Sequence, residues 1–299
     1  MIQTKGFGEM NFGHANLGDK RRTKRLVKLT DQMCLRPGGT LPQKLRNPAD
    51  LQAFYRLMRK DDVTHEAILD SHRQVTLQRI KQQEGPALVL HDTTELEYTT
   101  LKSLTRLGHI GHGHRRGYIT HNSLAVDPET KDVIGLCNQV LHRRPKVPKS
   151  ETRAQRNKRK SRESLLWIKG TKPLPANRQI VDVCDRGADT SEFIEREMNS
   201  GRRFVVRASH DRCILVGHGA PEESDSGKLK QYASTLPQAG SWTLQVTSKS
   251  EMKSPKGKGK KKLVKRIKRE ANMAVAFAPV QINPSKPRKD SQPMKVWIV

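Results

Sequence analysis

The chain is poor in the residues that build large cores. Aromatic residues make up 4% and hydrophobic residues 34% of its 299 positions, so the interior must be modest beside a solvated, charged remainder. It lacks any apolar run of membrane-spanning length and any evident amphipathic anchor, so no membrane partner is expected. The four cysteines, Cys34, Cys137, Cys184 and Cys213, lie far apart with no C-x-x-C pair. That gives little support to a zinc ribbon or a redox centre and fits a reduced, cytoplasmic protein. The opening residues also lack the charged-then-apolar design of an export signal. Acid is scarce too: 30 Asp plus Glu stand against 57 Lys plus Arg, a net charge of +27. Such charge repels itself in a compact fold and calls for a polyanion, with nucleic acid the first candidate. Ribosomal or histone-like packing is a weaker alternative, for which the chain is long.

What is present divides by texture. Residues 1–84 read as a helical, basic domain. Asp19 can cap a helix starting near Lys20, with Leu26, Leu29 and Met33 on one face. Lys20, Arg21, Arg22, Lys24, Arg25 and Lys28 load the rest of that helix, and Lys20, Arg21, Arg22 and Arg25 are the candidate DNA contacts. The alternative is a basic solvent face on an ordinary helix. Asn47 before Pro48 starts a second helix with a Leu51, Phe54, Tyr55, Met58 stripe, and Thr64 can cap a third running to about Gln83.

From Ala87 the pattern becomes strand-like. Runs at 87–91, 118–126 and 133–141 precede a short helix near 163–169. A strand at 180–185, a helix over 190–199 with Phe193, Ile194 and Met198 inward, and a strand at 203–210 follow. This order predicts an α/β fold with a mixed sheet over residues 85–210. The stretch "PALVLHDTTEL" poses a question, because Ala87 to Leu90 read as a strand buried on both faces and yet lead to Asp92. "IVDVCD" likewise ends on Asp185. Each aspartate is either a turn former or helix cap, or half of a carboxylate pair holding a hard cation such as Mg²⁺ or Mn²⁺. On the second reading Asp92 is tolerated because a metal neutralises it.

Several stretches together resemble a known family. "HDTTEL" (91–96), "CDRGAD" (184–189), "RFVVRASH" (203–210) and "GYITHNSLAV" (117–126) are similar to the core blocks of DDE transposases of bacterial insertion sequences. The closest branch is insertion-sequence family four, which includes the transposon-five transposase. "LGDKRRTKRLVKL" (17–29) and "AFYRLMRKDDVTHEAIL" (53–69) resemble that branch's DNA-binding head. The resemblance implies an RNase H-like catalytic core with Asp92 and Asp185 as catalytic, metal-binding acids. It implies Mg²⁺ or Mn²⁺ as cofactor, and metal-dependent DNA cleavage and strand transfer at element ends. Thr93, Thr94 and Arg186 would shape the site or touch phosphate, and Arg207 would contact phosphate through its guanidinium fork; on charge alone Arg207 is equally a surface ion pair. Double-stranded DNA would be the partner, with the protein acting as a homodimer or paired with full-length transposase, in the cytoplasm with the nucleoid.

The sequence departs from that family in one respect. No Tyr-x-x-Arg-x-x-x-Glu stretch carrying the third acid is found, and Glu95, Asp182 and Asp189 do not match it. Residues 211–299 therefore read as an incomplete β-rich insertion, with strands at 241–248, 272–282 and 294–299 and a solvated lysine-rich loop at 253–269. The last strand reads as an edge without an obvious partner. Cleavage is expected to be impaired, and a non-catalytic DNA-binding inhibitor or an RNase H-like nuclease are the competing functions. His109, His112, His114 and His121 form a histidine-rich tract that could bind zinc, although a basic DNA-facing loop is favoured. The basic run 143–160 reads as a nucleic-acid arm, a localisation signal or a solvated loop.

Overall fold

The computed structural model describes residues 6–148, 150–216, 225–253, 262–283 and 293–299. The chain forms two units, Met1–Ser209 and His210–Val299.

The first unit opens with five helices: α1 (Phe7–Phe12), α2 (Lys20–Cys34), α3 (Leu41–Lys44), α4 (Pro48–Met58) and α5 (His65–Gln82). Their starts follow from local chemistry. Asp19 accepts the Arg21 N–H at 2.8 Å, Asn47 accepts the Ala49 N–H at 2.9 Å, and Thr64 accepts the Ala67 N–H at 3.1 Å. Leu17, Leu26, Leu29, Leu45 and Leu57 are buried together, with Met33, Leu51 and Phe54 packed against them. Tyr55 and Met58, expected on the same stripe, are exposed. The α5 helix leaves this bundle and docks on the sheet beyond. Its Arg73 donates to the Cys137 carbonyl at 3.1 Å and to Asn138 Oδ1 at 3.0 Å, and Ile80 packs with Ala87 and Val89.

The sheet is built from β1 (Ala87–Glu97), β2 (Gly108–His109), β3 (Arg116–Val126), β4 (Val133–His142), β5 (Ile180–Cys184) and β6 (Arg203–Val206). Three helices lie among them in sequence: α6 (Arg153–Lys158), α7 (Leu166–Thr171) and α8 (Ser191–Ser200). The strand order is β4–β3–β1–β5–β6, with β2 pairing the start of β3. The β1–β3 and β3–β4 pairs are antiparallel, and β1–β5 and β5–β6 are parallel. This is the expected mixed α/β arrangement behind a helical N-terminal region.

Four local expectations need correction. The α6 helix forms inside the basic run because Thr152 and Gln155 make a capping box there. The β6 strand stops at Val206 instead of His210. On α8, Glu197 takes the fully buried position while Met198 is half-buried. Glu197 can lie there because Arg202 Nη2 bonds it at 2.8 Å and Thr171 Oγ1 at 2.8 Å, while Arg202 Nε also reaches Asp182 at 2.9 Å. Finally, β1 does not end at His91. It runs to Glu97 because β3 stays paired beside it as far as Gly117, and Thr93 and Thr94 are β-branched.

The two faces of the sheet differ. One packs Ile119, Cys184 and Ala188 with Trp167 of α7 and Phe193 of α8. The other is open: Leu90 is 37% and Val205 56% exposed. The run from Ala87 to Leu90 is thus not buried on both faces. Ala87, Val89 and His91 point inward, while Leu88 is half-buried and Leu90 and Asp92 are exposed.

The second unit holds β7 (Cys213–Val216), β8 (Asp225–Lys228), α9 (Leu229–Thr235), β9 (Gly240–Val246), β10 (Lys249–Lys253), β11 (Lys262–Arg266), β12 (Arg269–Val275), β13 (Ala278–Ile282) and β14 (Met294–Ile298). They make a four-stranded sheet, β14–β13–β7–β8, and two ribbons, β9–β12 and β10–β11. The unit is β-rich, as expected. Its described core is thin, centred on Ile214, Leu229, Val280, Ile282 and Met294. The β14 strand does find a partner, pairing with β13 from Met294 to Ile298. The lysine-rich segment 253–269 read as a loop instead holds β11, which pairs with β10; residues 254–261 between those strands lie outside the described residues.

Candidate functional site

Strand register assembles one polar row across the sheet. Gln139 of β4 stands opposite Asn122 of β3, and Asn122 stands opposite Asp92 of β1. The parallel pairs place His91 beside Cys184, and Cys184 beside Val206. One residue further along each of those chains come Asp92, Asp185 and Arg207, and all three are exposed. The Arg207 N–H donates to the Cys184 carbonyl at 3.1 Å, so β6 still runs beside β5 at this level. Adjacent strands lie about 4.8 Å apart, which brings the two aspartates to neighbouring positions on the open face.

The local roles of these residues differ. Asp185 Oδ1 accepts the Gly187 N–H at 2.9 Å and caps the short turn Arg186–Ala188. It is therefore a turn cap, with its second oxygen outside that bond. The turn is tight: a Cβ on Gly187 would come within 2.2 Å of the Trp167 ring. Among the described residues the Asp92 carboxylate has no hydrogen-bond or ion-pair partner. Strand parity answers the question it posed: Asp92 sits on the open face, in water, and needs no cation to neutralise it there. Thr93 points inward to His121, with Oγ1 and Nδ1 3.0 Å apart, while Thr94 and Arg186 are exposed. Beneath the row His91 and His121 stack at 5.7 Å, and burial pushes His121 down to a pKa of about 3, so it is neutral.

Other carboxylates nearby are already engaged. Glu95 accepts the Gly111 N–H at 2.6 Å, Asp189 accepts the Ser209 N–H at 2.7 Å, and Asp182 and Glu197 hold Arg202. Burial, reinforced by Asp182, raises the Glu197 carboxyl above its ordinary range. Among the described residues no three His, Cys, Asp or Glu side chains stand close enough to hold a metal ion. The histidine tract is divided accordingly, with His121 buried in the sheet and His109 bonded to the Gly113 carbonyl at 2.7 Å. The Asp92–Asp185 pair offers two carboxylates, a donor set that fits a hard divalent cation completed by water and phosphate oxygens.

The basic helix α2 lies in the N-terminal bundle. Lys20, Arg21, Lys24, Arg25 and Lys28 are exposed. Arg21 pairs with its own helix cap, Asp19, at 3.0 Å and remains 91% exposed. That bond raises the guanidinium's pKa and lowers the carboxyl's. Arg25 and Lys28 sit 3.7 and 2.8 Å from Asp50, whose carboxyl is held below its ordinary range by bonds from Lys28 and Gln32. Arg22 turns inward, donating to Asp62 at 2.6 Å and to the Leu17 carbonyl at 2.8 Å.

Residues 4–63 match the family model for transposase DNA-binding. The match supports a DNA-binding transposase with DNA as its partner. The matched segment spans α1 to α4 and stops one residue before Thr64, the cap of α5. It contains each of the basic residues proposed from α2. No helix among the described residues is long and apolar enough to cross a membrane. Sequence reasoning missed two residues of the row's far side, Asn122 and Gln139. The signal was available only through pairing, since counting outward from Asp92 requires the β1–β3–β4 register.

Proposed function

We propose that the chain is a transposase of the DDE kind, whose α2 face grips duplex DNA while the open sheet face presents Asp92 and Asp185 to a phosphodiester. The observation that carries this is the adjacency of the two exposed aspartates on neighbouring parallel strands, one step past the His91–Cys184 pair. The strand order, with β1, β5 and β6 parallel and the antiparallel β3–β4 pair on the β1 side, supports an RNase H-like reading of the core. Asp92 and Asp185 are the residues that would hold Mg²⁺ or Mn²⁺. When bound, such an ion stabilises charge on the attacking and leaving oxygens at phosphorus. Asp92 contributes a carboxylate with no other partner among the described residues, and Asp185 contributes one positioned by its turn. Arg207 neutralises phosphate on the β6 side, and the exposed cations of α2 hold the flanking duplex.

A third carboxylate does not join the pair among the described residues, which favours weak cutting and makes a DNA-binding inhibitor the second reading. A nicking assay on duplexes carrying the element's terminal inverted repeats, with Mg²⁺ or Mn²⁺, separates these. The expected result is binding with little or no nicking, and loss of any residual nicking in Asp92→Ala and Asp185→Ala. Strong nicking that survives Asp92→Ala would refute the acid assignment. Strong, Asp92-dependent nicking would remove the impairment but keep the site.

A further inference from the structure

We propose that Asn122, held by Gln139 and His65, is a phosphate-binding subsite on the side of Asp92 away from Arg207. The proposal rests on the reading of the row as the place where DNA is handled. Asn122 stands directly opposite Asp92. Its Oδ1 accepts two hydrogen bonds, from Thr120 Oγ1 at 3.0 Å and from Gln139 Nε2 at 2.8 Å. Gln139 Oε1 in turn lies 3.0 Å from Nε2 of His65, the first residue of α5. With His65 donating, the bonds run in one direction, His65 to Gln139 to Asn122. They leave the Asn122 Nδ2 hydrogens as the open end, without a partner among the described residues. Flipping the Asn122 amide would set its NH₂ against the NH₂ of Gln139. With His65 as donor, the group offered beside Asp92 is a donor.

A neutral donor next to a carboxylate can donate to a phosphate oxygen without the repulsion that another acid would add. Arg207 supplies the charged counterpart at the other end of the row. From β4 to β6 the row crosses four strand gaps, about 19 Å, which is enough for several phosphates of one strand at a rise of about 3.4 Å. Its Gln139 end begins at His65, two residues past the matched segment. A strand lying across the sheet would thus pass from the head to the acids along Asn122.

The test is anisotropy of the full chain with a random-sequence duplex as probe, over a range of KCl, in wild-type and Arg21→Ala/Arg25→Ala backgrounds. Asn122→Ala should weaken binding about three- to tenfold, the range of one ordinary hydrogen bond, with the salt slope unchanged because no charge is lost. The loss should persist in Asp92→Ala, which a mere role in orienting Asp92 would not allow. Gln139→Leu should reproduce it, and adding Gln139→Leu to Asn122→Ala should cost nothing more. Asn122→Asp keeps the shape and the Gln139 bond but presents an anion, and should bind more weakly still. Arg207→Ala should weaken binding and lower the salt slope by about 0.9. Wild-type affinity in both Asn122 variants alongside a weakened Arg207→Ala overturns the subsite. Wild-type affinity in all three overturns it together with the reading beneath it.

Discussion

At the scale of single residues, Asp50 of α4 shows how an acid can organise a basic surface. It is 4% exposed as a residue and takes Lys28 and Gln32 at 2.8 Å each, fixing part of the α2 face from below. Because its carboxyl titrates lower in the fold than in the free chain, it stabilises the bundle above the unfolded value of about 3.9. That contribution is lost as pH falls through the lower folded value. Asp50→Asn is expected to lower the melting temperature near neutral pH and to flatten the acid limb of a melting-temperature profile followed by helical circular dichroism. A parallel downward shift at every pH would contradict this. Residue-level features of this local kind were the most legible in the sequence. Asp19, Asn47 and Thr64 act as caps because a short polar side chain beside a free N–H needs nothing distant to define it. The exposure of Leu90 was illegible for the opposite reason: whether a β face is covered depends on what packs there, and an apolar letter is the same on either face.

At the scale of elements, the β10–β11 ribbon carries a tension the others lack. Its register sets Lys249 opposite Arg266, like charges directly across a ladder. Such a pair disfavours the ribbon by roughly 0.2–1 kcal/mol. Lys249→Glu should convert it into an attractive pair, and amide exchange in Lys265 and Arg266 should slow by up to about fivefold. Unchanged or faster exchange would show that the opposition has no energetic weight. The β11 strand of this ribbon falls in the stretch 253–269 that reads as a loop, because the lysines there suggest solvation and the pairing is not written in any alternation of apolar and polar residues. The first-unit strands were easier, since their apolar runs are bounded by turn signals. Where they went astray, as at β1, a neighbour prolonged the strand past the point where its own pattern stopped.

At the scale of the whole molecule, the charge of +27 makes salt the natural variable. If Arg21 and Arg25 each meet a phosphate, the double Ala variant should lose about 1.8 from the slope of log affinity against log salt. Arg22→Ala should instead act mainly on melting temperature, since Arg22 ties Asp62 and the Leu17 carbonyl into the bundle. A steeper slope change from Arg22 than from Arg21 would reverse that division of labour. The partner class was legible from composition, whereas the neighbouring positions of Asp92 and Asp185, and the row joining them, appeared only when five strands took their places. One further consequence belongs to α5, whose 18 residues make a rod about 27 Å long with one end at the bundle and its length against β4. Such a rod works as a splint. Its first residue, His65, already stands beside the row through Gln139, so the join between bundle and sheet is fixed at that end, and lengthening the rod by one helical turn at its Gln82 end should leave the join unchanged.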